Sequence, residues 1–179
     1  MRVFTAIKLP LEVKNELYRV QKLINPGLAK IKWVPKKNLH LTLKFIGDVD
    51  NFEEIHDKLK GIEIIPFLAR LGDFGTFPNL LNVKVLWADL VPHKKIIELQ
   101  QEIDSELLGF TNEYQMFSPH LTLGRIKKIK KVNEFHKLIR NDISIKPIEF
   151  EVNSFQLMQS KLSKDGSKYI VLKEYKSSI

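Results

Sequence analysis

Hydrophobic and polar residues follow two periods along the chain, one typical of strands and the other typical of helices. Residues 2–8 place Phe4 and Ala6 on one face of a strand and the intervening residues on the other, and Pro10 ends it. Over 11–24, apolar residues recur every three or four positions, which predicts a helix that stops at Asn25-Pro26-Gly27. The chain therefore opens with a strand followed by an amphipathic helix.

The same two periods continue to the C-terminus. Further strands are predicted over 39–46, 62–71, 80–90, 120–126, 148–158 and 168–175. Further helices are predicted over 52–59, over the stripe 96–108 between Pro92 and Gly109, and over 132–139. Connections are expected at 73–79, at a basic turn over 127–131 and at the hairpin Lys164-Asp165-Gly166.

No linker rich in Gly, Ser or Pro divides the 179 residues. Residues 1–179 are therefore expected to form a single bilobal domain. A pseudo-repeat also runs through the chain, since each half combines helices, a His-Leu-Thr-Leu strand and further strands. This order predicts an α+β protein of two similar lobes, each an antiparallel sheet with helices on its outer face.

The duplicated His-Leu-Thr-Leu segment is the main chemical signal in the sequence. It occurs at 40–43 and again at 120–123. Because side chains alternate across a strand, His40 and Thr42 share one face, as do His120 and Thr122, while the leucines take the other. One such segment is most simply a core strand whose His and Thr satisfy each other. A second copy among only five histidines favours a function.

Two histidines, each beside a hydroxyl, fit an in-line displacement at phosphorus. The attacking oxygen loses a proton on one side while the leaving oxygen gains one on the other. An imidazole with a pKa of about 6.5 serves either role near neutral pH. The two threonine hydroxyls can donate to non-bridging phosphate oxygens. No metal ion or other cofactor is needed for this chemistry, and no glycine-rich phosphate loop or spacing typical of a metal site occurs.

The paired motifs, the opening Arg2-Val-Phe4-Thr-Ala6, Lys44-Phe-Ile-Gly47 and the segment 117–125 resemble the RNA 2′,3′-cyclic phosphodiesterases, also called 2′-5′ RNA ligases, of the two-histidine phosphoesterase superfamily. The resemblance implies a central groove between the lobes. It implies hydrolysis of 2′,3′-cyclic phosphate ends of RNA to 2′-phosphate ends, and reversible 2′-5′ ligation of tRNA halves. By position, His40 resembles the proton donor and His120 the proton acceptor.

Arg125 resembles a family arginine that holds the substrate phosphate. Strict alternation, however, puts residue 125 on the leucine face, opposite His120 and Thr122. A phosphate-binding role therefore requires a twist or bulge, which Gly124 would permit. Lys44 is two residues after Thr42, so strict alternation places it on the same face as His40 and Thr42. There it would either line the groove or be a solvated lysine at the end of the strand.

The composition of the chain limits which ligands and which cellular location are expected. The formal charge of +8 favours anionic ligands, here RNA with cyclic phosphate ends or a small nucleotide. The absence of cysteine fits the cytoplasm, and no apolar run is long enough for a membrane span. A monomer is expected. Two groups of residues are candidates for RNA contact, namely the lysines Lys127, Lys128, Lys130 and Lys131 and the aromatic residues Trp33, Phe74, Phe77 and Tyr169.

Three functions remain open from the sequence. The first is the RNA cyclic phosphodiesterase just described. The second is a phosphodiesterase of small cyclic or 2′-5′-linked nucleotides, and the third is a non-catalytic module that binds RNA ends. The intact histidines and threonines favour catalysis over binding alone.

Overall fold

The structure is a computed structural model that describes residues 1–110, 116–163 and 166–178. Its strands are β1 (Arg2–Lys8), β2 (Ala29–Trp33), β3 (His40–Asp48), β4 (Phe67–Phe77), β5 (Val85–Val91), β6 (Leu121–Ile129), β7 (Glu149–Val152), β8 (Ser154–Ser163) and β9 (Gly166–Lys176). Its α-helices are α1 (Leu11–Leu23), α2 (Glu53–Leu59), α3 (His93–Glu106) and α4 (Val132–Asn141). Of the expected hairpin turn, Lys164 and Asp165 lie outside the described residues, and Gly166 begins β9.

The strands form two antiparallel sheets. Sheet I has the order β3-β1-β8-β9, and sheet II has the order β2-β6-β5-β4-β7. The expected α+β architecture of two lobes is thus confirmed. The lobes do not coincide with the two halves of the sequence, because β2 from the first half pairs with β6 from the second, and β7 pairs with β4.

Several stretches differ from the sequence-based expectation. β2 was not predicted, 62–66 is not strand, and the expected connection 73–79 belongs to β4 as far as Phe77. The expected basic turn belongs to β6 as far as Ile129. In each extended stretch the partner strand overrides local turn propensity, as in the pairing of Phe77 with Val85. The single strand predicted over 148–158 is two strands, one in each sheet.

The leucines of both motifs lie in the core. Leu41, Leu43, Leu121 and Leu123 are buried and belong to one continuous hydrophobic cluster. Helix α1 adds Val13, Leu17 and Val20 at helical spacing, all fully buried. Burial of these side chains fixes which face of β3 and β6 is left for the histidines. In the described part of the chain, no helix has the length and apolarity that crossing a membrane requires.

Candidate active site

A cavity of about 580 Å³ lies where β3 of sheet I comes close to β6 of sheet II. All five residues expected from the sequence to be catalytic or substrate-binding line it, namely His40, Thr42, His120, Thr122 and Arg125. Helix α3 contributes Gln100 and Asp104 to the wall, and β9 contributes Tyr169. The structure therefore brings two motifs that are 80 residues apart in the chain to the same cavity.

The two motif strands carry the same irregularity at the same place. On β3, Thr42 is opposite Ala6 and Lys44 is opposite Thr5, so that Leu43 is an extra residue in the pairing with β1. On β6, Thr122 is opposite Trp87 and Gly124 is opposite Leu86, so that Leu123 is the extra residue in the pairing with β5. A one-residue bulge of this kind reverses which face the following residues occupy.

The bulge at Leu123 brings Arg125 to the histidine face. Leu123 and Gly124 are both buried while Arg125 is exposed, a pattern that strict alternation does not give. Arg125 then lines the cavity with His120 and Thr122. The structure thus contains the irregularity that a phosphate-binding role for this arginine requires.

The bulge at Leu43 has the matching effect on sheet I. It changes the face of β3 from which Lys44 extends, relative to strict alternation. Lys44 is opposite Thr5 and forms an ion pair with Asp104 of α3 at the cavity wall, so its charge is already neutralised. Phe45 is opposite Phe4 and lines the cavity while remaining 60% exposed. Phe45 therefore occupies the place on β3 that Arg125 occupies on β6.

His40 is held by a short hydrogen bond and by aromatic rings. Its Nδ1–H donates to the carbonyl oxygen of Asn38 at 2.6 Å, because a carbonyl can only accept. This bond leaves Nε2, which lies 2.9 Å from the Oγ1 of Thr42, as the nitrogen available for proton transfer. The rings of Phe4 and Tyr169 contact the imidazole, with centroids 5.1 and 5.2 Å away.

Burial lowers the pKa of His40 below its usual value, because desolvation disfavours the charged imidazolium. The hydrogen bond to Asn38 raises the pKa and therefore opposes this effect, and the nearby charge of Lys14 lowers it further. The net direction is downward, which favours the neutral form of His40.

His120 repeats the geometry of His40. Its Nδ1–H donates to the carbonyl oxygen of Ser118 at 2.8 Å. Ser118 is two residues before His120, just as Asn38 is two residues before His40. The ring of Phe77 contacts it edge-on, with centroids 5.1 Å apart. Both histidines thus have the same tautomer when neutral, with Nε2 as the proton-accepting nitrogen.

The aromatic candidates from the sequence divide between the cavity and the core. Tyr169 lines the cavity. Phe77 contacts His120 but stacks on Trp87 at 4.9 Å. Trp33 lies over Gly124, where a side chain on Gly124 would collide with its ring, and Phe74 packs against the core.

Sequence reasoning missed Phe45. It also missed Gln21, a buried residue of α1 whose Nε2 donates to the carbonyl oxygens of Val34 and Leu123 beside the bulge of β6. The only signal for Phe45 was an aromatic residue just after a motif, and no signal marked Gln21. In the part of the chain that the structure describes, no three His, Cys, Asp or Glu side chains are grouped as metal ligands would be.

Comparison with known proteins identifies the family of this chain. The model of the family described as LigT like Phosphoesterase matches residues 7–87 and again 90–169, once for each motif. The chain belongs to the LigT-like phosphoesterase family. It is 35% identical to the RNA 2′,3′-cyclic phosphodiesterase of Methanocaldococcus jannaschii, over 98% of this chain and 100% of that protein. It is 33% identical to the protein of the same name from Thermotoga maritima, over 97% and 94% of the two chains.

Solved structures of the LigT-like fold superpose over nearly the whole chain. A crystal structure from Thermus thermophilus has a TM-score of 0.83 and 29% identity, and covers 98% of this chain and 97% of its own. Escherichia coli LigT complexed with 3′-AMP has a TM-score of 0.78 and 25% identity, and covers 99% and 98% of the two chains. The two-lobed fold around a cavity is therefore that of this family.

Proposed function

We propose that this protein hydrolyses 2′,3′-cyclic phosphate ends of RNA to 2′-phosphate ends. The observation that carries the proposal is that His40 of sheet I and His120, which directly precedes β6 of sheet II, line one cavity and have the same Nδ1–H anchor. Relatives named RNA 2′,3′-cyclic phosphodiesterase support the same activity. Both histidines that line the cavity belong to the same chain, which supports action as a monomer. The cysteine-free sequence fits the cytoplasm as its location.

The reaction needs one proton acceptor and one proton donor. In the proposed hydrolysis, His120 Nε2 removes a proton from a water molecule as its oxygen attacks phosphorus. His40 Nε2 gives a proton to the 3′ oxygen as the bond from this oxygen to phosphorus breaks. In the same sense, a 5′-hydroxyl in place of the water would attack phosphorus and form a 2′-5′ linkage as the 3′ oxygen leaves, with the strained cyclic phosphate supplying the free energy.

Three further side chains would stabilise the charge on the phosphate. The Thr42 and Thr122 hydroxyls and the Arg125 guanidinium line the same cavity as the histidines. Donors directed at oxygens where charge develops lower the barrier more than they stabilise the bound substrate. The substrate anion would also raise the pKa of His40, since an opposite charge favours the imidazolium. A donor that is neutral in the empty cavity would thus be protonated with the phosphate bound.

The first experiment tests whether both histidines are required. His40→Ala and His120→Ala are each expected to lower kcat on an RNA with a 2′,3′-cyclic phosphate end by a factor of about 100 or more. His93→Ala is the control, because His93 is outside the cavity lining. The product is expected to carry a 2′-phosphate. Full activity in either test variant contradicts the mechanism, and RNA binding by the wild type without turnover supports the binding module instead.

A second substrate tests which histidine is the proton donor and which is the proton acceptor. Replacing the 3′ oxygen of the cyclic phosphate by sulfur creates a leaving thiolate that needs no proton, because thiols are far more acidic than alcohols. His40→Ala is expected to regain most of its lost rate on this substrate, while His120→Ala is expected to stay slow. Recovery by His120→Ala instead of His40→Ala would mean that the roles are exchanged.

A further inference from the structure

Four cations form two cross-strand pairs on β2 and β6. Lys32 is directly opposite Arg125, and Lys30 is directly opposite Lys128. All four are exposed. Residues paired directly across an antiparallel ladder point to the same face. We call Lys30, Lys32, Arg125 and Lys128 the cation ladder.

The cation ladder begins at the cavity. Arg125 lines the cavity, and so does Val34, which is the residue after the end of β2. On β2 the opposite face carries Ala29, Ile31 and Trp33, which are buried or pack against the core. Lys32 and Lys30 therefore lie on the cavity side of sheet II, with Lys32 beside Arg125 and Lys30 two residues farther along β2.

The arrangement is costly for the folded protein. Like charges directly opposite each other in a ladder are destabilising. None of the four cations is in an ion pair with any residue of 1–110, 116–163 or 166–178. Lysines on an edge strand can prevent edge-to-edge aggregation, which would account for Lys30 and Lys32. It does not account for Lys128 and Arg125, because β6 is an interior strand of sheet II.

A polyanion of regular spacing matches this surface. Two residues along a strand advance about 6.6 Å, which is comparable with the separation of neighbouring phosphates in an extended single strand. Cations that follow a nucleic-acid backbone add affinity through counterion release, independently of the base sequence. A mononucleotide placed in the cavity would reach only the inner end of the ladder.

We propose that the cation ladder binds the phosphates of the nucleotides that precede the cyclic end, so that the preferred substrate is a single-stranded RNA end rather than a cyclic mononucleotide. The inference rests on the proposed function, since it requires the 3′ end to occupy the cavity. It goes further by naming the surface along which the RNA chain extends.

The test uses two substrates and a charge-neutral variant. Lys30→Gln, Lys32→Gln and Lys128→Gln are combined, and Arg125 is left unchanged. Activity is measured on a cyclic mononucleotide and on a single-stranded RNA of about ten nucleotides with a cyclic phosphate end. On the RNA at low salt, we expect kcat/KM to fall at least tenfold. The slope of its logarithm against the logarithm of salt concentration should become shallower by about 2, because each phosphate contact in single strands contributes about 0.7. On the mononucleotide, kcat/KM should stay within twofold.

Two further variants separate the possible causes. The charge-matched control combines Lys58→Gln, Lys94→Gln and Lys137→Gln, three exposed helical lysines that are not themselves part of the cavity lining. It should leave both substrates and the salt slope unchanged. Lys128→Gln alone leaves the edge strand intact, so it tests the proposal even if the triple variant aggregates. We expect this single change to reduce the slope by about 0.7.

The two proposals fail in different ways. If the wild type hydrolyses both substrates but the ladder variants behave like the control, the cation ladder proposal is overturned and the proposed function stands. If the wild type hydrolyses neither substrate, the proposed function fails. Salt-dependent binding of an RNA that ends in a 2′-phosphate then still tests the ladder, and equal slopes for wild type and variant would overturn it.

Discussion

Gln21 connects helix α1 to the bulge that positions Arg125. It is buried, and its Nε2–H₂ donates to the carbonyl oxygens of Val34 and Leu123, both at 2.9 Å. Leu123 is the bulge residue, and its carbonyl also accepts the Val34 N–H at 2.9 Å. Gln21 therefore joins the end of β2 to the bulge of β6. The variant Gln21→Met keeps the length of the side chain and removes both donors.

The expected cost follows from the two carbonyl groups. The Leu123 carbonyl keeps the Val34 N–H as a partner, so it loses about 1 kcal/mol of net hydrogen bonding. The Val34 carbonyl is partly buried and loses the Gln21 donor, so its cost lies at the lower end of the range of about 1–3 kcal/mol for an unsatisfied buried group. Burying a thioether in place of an amide offsets part of this sum. We expect the free energy of unfolding to fall by about 2 kcal/mol, and kcat/KM on RNA to fall about tenfold because Arg125 is less well placed.

The assay combines urea unfolding with a double-mutant cycle. If Gln21 acts through Arg125, the effects of Gln21→Met and Arg125→Ala on kcat/KM will not add, and the double variant will be about as slow as Arg125→Ala alone. Gln156→Met is the matched control. Gln156 is also buried, and its Nε2 donates to Glu174 at 3.0 Å within sheet I. It should lose stability, yet its effect on kcat/KM should be additive with Arg125→Ala. Additive effects for Gln21→Met would refute the reasoning.

Four further outcomes are expected. Because burial lowers the pKa of His40 and the proposed donor must be protonated, kcat/KM should fall as the pH rises through a midpoint below about 6.5. Lys14→Gln should shift this midpoint upward, since the charge of Lys14 lowers the pKa, and an unmoved midpoint contradicts the assignment. Phe45→Ala should raise KM for RNA about tenfold with little change in kcat if the exposed ring stacks a base, and unchanged KM refutes that role. A chelator should leave the rate unchanged, because the proposed acid–base pair needs no metal ion.

The motif strands and the main helices were predictable because their signals are local. A leucine at every second position fixes the buried face of a strand, and the helix over 93–106 has a stripe of buried Ile96, Leu99 and Ile103. The strand β2 was missed although Ala29–Trp33 alternates apolar residues with two exposed lysines, because a run of only five residues is a weak signal without its pairing with β6. Long-range pairing of this kind leaves little trace in a single sequence.

The two bulges were not predictable in position, although one was recognised as a condition for Arg125. Leu43 and Leu123 are buried with or without a bulge, so the apolar pattern does not mark either leucine as the extra residue. The consequences appear only after each bulge. Lys44, one residue after Leu43, forms an ion pair with Asp104, and Arg125, two residues after Leu123, reaches the cavity. Strict alternation misassigned Arg125 for this reason, whereas Lys44 lines the cavity, which is one of the two places expected for it.

The duplicated bulge explains how two nearly identical motifs can have different roles. Up to the bulge, the lobes present the same groups, an imidazole anchored through Nδ1 followed by a hydroxyl. After it they differ, because Phe45 follows on sheet I and Arg125 on sheet II. An apolar ring suits a base and a guanidinium suits a phosphate or its neighbours. The orientation of a nucleotide between equivalent histidines would then be decided by the residues beyond the bulges. We therefore expect exchanging Phe45 and Arg125 to disrupt binding far more than it disrupts folding, since both side chains are exposed.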